Sequence, residues 1–194
     1  MPALELVLAS TSPFRKELLR KLGLPFSTAA PDIDESPQPD ESPRSLVQRL
    51  ARGKAKIVAA QYPQALIIGS DQVACLNGHI LGKPGNRENA IAQLGAMSGK
   101  AVSFHTGLCL YNSKSGNTQV VCEDFLVHFR GLSGEQIERY VAAEKPFNCA
   151  GSFKSEGLGI TLFRKLEGDD PNTLIGLPLI RLVDMLALEG IELP

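Results

Sequence analysis

Two serines, an arginine and a lysine lie close together near the start of this chain, in Ala9-Ser10-Thr11-Ser12-Pro13-Phe14-Arg15-Lys16, at a spacing suited to holding phosphate. The apolar run Leu4 to Leu8 precedes them, and Glu17, Leu18, Leu19 and Leu22 continue at helical spacing until Gly23, so the segment predicts a strand-to-helix turn. Ser12 reads as the N-cap and Pro13 as the first helical residue. The free amides of a helix start favour anions, Ser10 and Ser12 add hydroxyl donors, and Arg15 and Lys16 supply full charge one turn in. An ordinary capped helix with two solvated basic residues fits the same pattern.

Three further residues are chemically out of place. Leu46, Leu50, Lys54 and Val58 fall at i, i+4, i+8 and i+12, so Lys54 interrupts an apolar helical stripe, while Lys56 lies off it and is expected in solvent. A lysine there either snorkels from the stripe's edge or serves a site. Asp71 directly follows the apolar run Ala65-Leu66-Ile67-Ile68-Gly69, and ligands of α/β sheets gather outside the carboxyl ends of strands; a turn or cap aspartate is the plain alternative. Lys83 stands in Gly82-Lys83-Pro84. A P-loop is excluded there, because the glycine spacing from Gly78 is one residue short and Pro84 occupies the place of the metal-binding hydroxyl. The lysine reads instead as displayed at the end of a hairpin. The Gly-rich segment Ala150 to Gly159 is punctuated like a loop that closely approaches a ligand, or like a flexible surface connection.

The elements that must position these residues alternate between apolar blocks and helical patterns, which predicts a mixed α/β fold. Pro31 to Pro43, with four prolines and the acids Asp32, Asp34, Glu35, Asp40 and Glu41, predicts a loop. Ser42-Pro43 opens a helix through Ala60, and Ala65 to Gly69 is a short buried strand. Asn77-Gly78 marks a hairpin turn ahead of a short strand at Ile80 and Leu81. A helix is expected over Arg87 to Met97, long strands over Ala101 to Tyr111 and Gln119 to Phe129, and a helix capped by Ser133 and ending near Ala143. A short strand near Ile160 to Phe163 and a helix from Pro178 to Leu188 complete the reading.

The 194 residues fit one domain, or one domain with two lobes. A formal charge of −1 gives no broad basic surface, which argues against a nucleic-acid polymer as partner. No apolar run approaches a membrane span and no leader pattern is visible, which points to the cytoplasm. Cys75, Cys109, Cys122 and Cys149 are widely separated and read as buried thiols rather than disulfides or a zinc site; His79, His105 and His128 show no metal-ligand spacing.

Together, Ala9 to Lys16, Arg49-Leu50-Ala51 with Lys54-Ala55, Gly69-Ser70-Asp71-Gln72-Val73, Gly82-Lys83-Pro84, Ser98-Gly99-Lys100 and Asn172 to Pro178 resemble, in order, the motifs of the Maf-type nucleoside triphosphate pyrophosphatases. The resemblance runs over nearly the whole chain. It implies a single Maf-like domain over 1–194, of two lobes and related to the inosine triphosphatases, with an elongated mixed sheet flanked by helices and a cleft between the lobes. It implies hydrolysis of a nucleoside triphosphate to the monophosphate and pyrophosphate, with Mg²⁺ or Mn²⁺. Asp71 matches the family's proton acceptor and Glu35 a family acidic position, which makes Glu35 and Asp71 the candidate metal ligands; Arg15, Lys16, Lys54 and Lys83 are the candidate cations for the triphosphate, with Ser10 and Ser12 as hydroxyl donors to it. Many relatives carry Arg-Arg where this chain has Arg15-Lys16.

Within the family the match is to the branch hydrolysing 7-methyl-GTP. The branch acting on dTTP and UTP, the nearest alternative, typically has Arg, Thr and Gln where this chain has Phe14, Gln72 and Glu156. Methylation at N7 makes guanine cationic, an aromatic face attracts such a ring, and a carboxylate accepts from its N1 and N2 edge. Relatives form homodimers, so the resemblance also implies a homodimer. A nucleotide-binding regulator of cell division that does not cleave its ligand is the rival class; it needs the cations but not Asp71.

Overall fold

The protein is described here from a computed structural model covering residues 4–194. The Leu4 to Leu8 run becomes β1 (Glu5–Ala9), and Ser12 caps α1 (Pro13–Arg20) by accepting the Arg15 amide at 3.3 Å, with Pro13 in the first turn as expected. A short strand, β2 (Ser27–Ala29), follows, and after the Pro-rich loop Ser42 caps α2 (Pro43–Ala59). Next come β3 (Ala65–Leu76), β4 (His79–Leu81), α3 (Arg87–Met97), β5 (Ala101–Asn112) and β6 (Thr118–Phe129). A capping box at Ser133 and Gln136 starts α4 (Gly134–Glu144), and β7 (Phe163–Glu167), α5 (Pro171–Ile175) and α6 (Leu179–Leu188) end the chain.

Seven strands form one mixed sheet in the order β2-β1-β3-β5-β6-β7, with β4 paired to β3. β1 runs parallel to β2 and β3, whereas β4 is antiparallel to β3 and β7 to β6. Helices flank it, which is the α/β class expected. Among the described residues no helix is long and apolar enough to cross a membrane. All four cysteines are free thiols.

The chain divides into two compact units. The first comprises the residues up to Asp71, Thr106–Glu123 and Asp170–Pro194. Its strands are apolar on both sides, as a covered parallel sheet requires. On one face Leu6, Leu8, Leu66, Ile68, Leu108 and Leu110 pack with Leu18 and Leu19 of α1 and Leu182, Met185 and Leu186 of α6. On the other, Val7, Ala9, Ala65, Ile67 and Cys109 pack with Ala51, Ala55 and Val58 of α2. The second unit, Gln72–His105 with Asp124–Asp169, is built around Phe104, Phe129, Phe153 and Phe163, whose rings meet edge to face at 4.8–5.6 Å.

Two expectations need correction, and two elements are additional. β3 does not stop at Gly69 but continues to Leu76, so Asp71 lies inside a strand rather than beyond its end. The polar Ser70-Asp71-Gln72 interrupts the apolar pattern without interrupting the ladder, because Val73 to Leu76 resume it. Residues 160–162 belong to a 3-10 turn, and the last strand is Phe163–Glu167, buried at Phe163 and exposed from Arg164 on. β2 and α5 have no counterpart in the sequence reading: three residues rich in hydroxyls and a single helical turn are too short to show a period.

Two glycines set how closely α2 lies on the sheet. A Cβ at Gly69 of β3 would stand 2.0 Å from the Ala51 carbonyl oxygen, and one at Gly107 of β5 would stand 2.1 Å from that of Val47. Both obstacles are helix backbone, which cannot rotate away. Gly69→Ala and Gly107→Ala should therefore each lose about 3 kcal/mol or more in urea unfolding, the upper end of overpacking costs. Gly95→Ala on α3, where nothing lies within 4 Å, should instead gain about 0.5–1 kcal/mol from helix propensity.

Candidate active site

The close seat of α2 on Gly69 determines what its next turn meets. Residues 65, 67, 69 and 71 of β3 share the α2 face by strand alternation, so the Asp71 side chain is directed at the helix. Lys54, one turn beyond Ala51, meets it there: its Nζ donates to Asp71 Oδ1 at 2.6 Å and lies 2.6 Å from Glu35 Oε1 of the Pro-rich loop. The lysine and aspartate side chains are only 8% and 11% exposed, whereas Glu35 is 57% exposed. Lys54 is thus not a lysine escaping from the edge of a stripe, and Lys56 is the exposed one. Asp71 is neither a turn nor a cap residue.

Ser70 points to the opposite face. Its hydroxyl lies 2.9 Å from the carbonyls of both Gly107 and Gly176. The Gly176 carbonyl also accepts from Arg15 Nε at 2.8 Å. Gly176 closes α5 in a left-handed conformation at φ 118°, and a Cβ there would come within 3.3 Å of Arg15 Nε, so the guanidinium lies against a position that favours glycine. Burial lowers the pKa of Arg15 below the ordinary guanidinium value, and the negative charges of Asp71 and Glu35 oppose that shift. Beside it, Ser10 Oγ accepts the Ser12 amide at 3.1 Å and Ser12 Oγ accepts the Arg15 amide, which leaves both hydroxyl protons to donate. Lys16 is exposed on α1, and Phe14 is 37% exposed.

The loop carrying Glu35 is fastened to α2 as well. Arg49 grips Glu41 with two bonds, Nε to Oε1 at 2.6 Å and Nη2 to Oε2 at 2.8 Å, and Nη2 also donates to the Ser36 carbonyl at 3.0 Å. The guanidinium, by hydrogen bonding, holds the Glu41 carboxyl down at about 2.

In the second unit two loops are joined through α3. Gln93 Nε2 donates to the Gly82 carbonyl at 3.1 Å, next to Lys83, and its Oε1 accepts from Ser152 of the Gly-rich loop. The Gly85 amide donates to the Phe147 carbonyl at 2.9 Å. Phe153 anchors the Gly-rich loop in the aromatic core, so the segment is not a flexible surface connection. Lys83 and Glu156 are exposed, and both, with Lys154 and Glu144, lie in electrostatic range of Cys149, whose thiol is pushed up mainly by burial. Gln72, the half-buried residue after Asp71, also belongs to this unit.

Of the residues singled out from sequence, the first unit thus brings together Lys54, Asp71, Glu35 and Arg15, with Ser10 and Ser12 at the same helix start. Lys83 and Glu156 share the second unit with Gln72. Sequence reasoning missed the Ser70–Gly176–Arg15 connection and the Arg49–Glu41 pair. A glycine closing a single-turn helix carries no periodic signal; Arg49, however, stood within a recognisable motif. A buried cation between two carboxylates, with an arginine and hydroxyl donors beside it, can bind a phosphate group and orient a water.

Comparison with known proteins fits this chemistry. The sequence model of the family described as Maf-like protein matches residues 5–189. The chain is 64% identical to the 7-methyl-GTP pyrophosphatase of Alcanivorax borkumensis, covering 97% of this chain and 96% of that one. It is 61% identical to the protein of that name from Colwellia psychrerythraea, at 96% and 94% coverage, and 60% identical to the one from Pseudomonas aeruginosa, at 98% and 99%. Among solved structures, the Staphylococcus aureus Ham1 protein aligns over 96% of this chain and 98% of its own at 16% identity, with a TM-score of 0.49.

Two measurements probe the electrostatics. Lys54→Met should cost about 3 kcal/mol in chemical unfolding, because it strands the buried Asp71 carboxylate, and Lys54→Met with Asp71→Leu should recover most of that loss. For Glu41 the folded pKa, about 2, lies below the ordinary 4.5, so the stabilising effect is complete above pH 4.5 and is lost as pH falls through about 2. The stability gap between wild type and Glu41→Gln should accordingly be constant at neutral pH and shrink between pH 4.5 and pH 2.

Proposed function

This chain belongs to the Maf family, and from that membership we propose that it hydrolyses 7-methyl-GTP to 7-methyl-GMP and pyrophosphate. The observation that carries the chemistry is the buried Lys54–Asp71 pair with Glu35 and Arg15 at its side. Water attacks the α-phosphorus, the bond from that phosphorus to the bridging oxygen breaks, and pyrophosphate leaves with the electron pair. Asp71 orients this water and accepts its proton. Such a reaction is governed by positioning and by neutralising charge. Arg15, Lys54 and Lys83 supply that charge, while Ser10, Ser12 and the start of α1 donate hydrogen bonds to phosphate oxygens.

Asp71 and Glu35 are hard oxygen ligands drawn to one ammonium, a donor set that fits Mg²⁺ or Mn²⁺ rather than zinc. When bound, the ion would add positive charge against the triphosphate. Lys54 then serves two purposes, holding Asp71 in place and turning a remaining N–H toward phosphate.

Base selection rests on Phe14, Gln72 and Glu156. The exposed Phe14 offers an aromatic face to the cationic methylguanine, and the exposed Glu156 carboxylate accepts from its N1 and N2 donors. Each preference is worth about 1–3 kcal/mol. A free nucleotide as substrate fits a cytoplasmic enzyme.

Pyrophosphate release from 7-methyl-GTP, GTP, dTTP and UTP, with and without Mg²⁺, tests the assignment. Wild type should prefer 7-methyl-GTP, and Asp71→Asn should lower its turnover on the order of 100-fold or more while still binding nucleotide. Glu156→Gln should reduce the kcat/KM ratio of 7-methyl-GTP over UTP. Near-normal turnover in Asp71→Asn would move the base to another residue, and a flat ratio across the panel would sink the reading of the base.

A further inference from the structure

Arg49 recurs in the motif that marks the family, yet the chemistry above gives it nothing to do. Its surroundings suggest a task. Glu35 is carried by a loop without regular structure, and its side chain is 57% exposed. Two side chains from α2 hold it, one at its carboxylate and one at the adjoining backbone. Lys54 meets the Glu35 carboxylate, and Arg49, five residues earlier on the helix, donates to the carbonyl of Ser36, the next residue in the chain. The Arg49 guanidinium is itself fixed by its bidentate grip on Glu41, whose side chain is only 8% exposed and whose Oε2 also accepts the Gln38 amide at 3.0 Å. On the other side of Ser36, its amide donates to Asp34 Oδ1 at 2.9 Å, closing a turn across Glu35.

We infer that Arg49, locked by Glu41, is a positioning residue that aims Glu35 at the Lys54–Asp71 pair. The alternative is a plain tie between loop and helix. A tie needs only the Glu41 contact. The third bond, to the carbonyl beside Glu35, is what sets where that carboxylate lies, and gripping both oxygens of one carboxylate in a planar fork while a further N–H bond reaches a carbonyl is a property of arginine that lysine lacks. The pair acts through Glu35 and touches no reacting atom.

The inference rests on the activity proposed above, so its test uses two independent readouts. The first is a double-mutant cycle on pyrophosphate release from 7-methyl-GTP, with Arg49→Gln and Glu35→Gln alone and combined. Arg49→Gln should slow the wild type on the order of tenfold but change the Glu35→Gln background less than about twofold, because residues acting through one another do not add. The second, made without substrate, is amide deuterium uptake over residues 32–41, which should quicken at Glu35 and Ser36 in Arg49→Gln and in the near-isosteric Glu41→Gln. Equal effects of Arg49→Gln in both backgrounds, or unchanged uptake in both variants, would overturn the inference. So would unfolding of both Arg49→Gln and Glu41→Gln, since the pair would then hold the fold rather than Glu35. A wild type that releases pyrophosphate from no nucleoside triphosphate sinks the assigned activity instead, and deuterium uptake then decides the clamp alone.

Discussion

The site depends on how closely one helix can approach the sheet. Between Gly69 of β3 and the Ala51 carbonyl of α2 there is no room even for a methyl group, and Gly107 repeats the condition against Val47 on the neighbouring strand. Ala51 and Ala55, the residues α2 turns inward there, are small for the same reason. With larger residues at these places the helix would ride higher, and Lys54 could not reach an aspartate side chain as short as Asp71. A backbone contact thus sets a side-chain distance, and the glycines contribute to chemistry without touching a substrate.

Strand alternation then divides the labour of β3. Asp71 shares a face with Gly69 and faces α2, while Ser70 turns to the other face and ties β3 to Gly107 and Gly176. Because Gly176 also holds Arg15, one carbonyl oxygen links the middle strand to the helix whose start carries the serines. A run of three polar residues inside a buried strand is normally costly. Here the first two are satisfied by named partners, so the strand continues to Leu76 and its direction is kept across the site.

Much of this was legible in the sequence. The capped start of α1, the long α2, the β5–β6 strands, the free cysteines and the interruption of an apolar stripe by Lys54 all followed from period, cap chemistry or spacing. What escaped shares one physical character: it depends on contacts between segments far apart in the chain. Asp71 reads as following a strand terminus because the apolar run ends, and only the pairing of Ala74 to Leu76 with β4 shows that the strand goes on. The short β2 and α5 have no period of their own. Gly69 reads as the end of a strand and Gly107 as one residue of a long one, and only the packing of α2 shows that both are needed for close backbone approach. The Pro-rich loop read correctly as irregular, yet irregular did not mean loose, since Arg49 and Lys54 both hold it.

That loop also shows why position 54 suits lysine. An arginine would present a rigid fork that binds one carboxylate in two-point contact, whereas an ammonium is a compact charge whose three donors can be shared among separate acceptors. Asp71 and Glu35 take one each. The two acceptors differ in what fixes them: Asp71 is buried in a central strand, and Glu35 is exposed on a loop held from outside. Moving Asp71 would mean disturbing the sheet, whereas Glu35 moves with the loop that Arg49 and Lys54 hold. The pair therefore combines one carboxylate fixed by a strand, suited to orienting a water, with one whose place is set by side chains of α2.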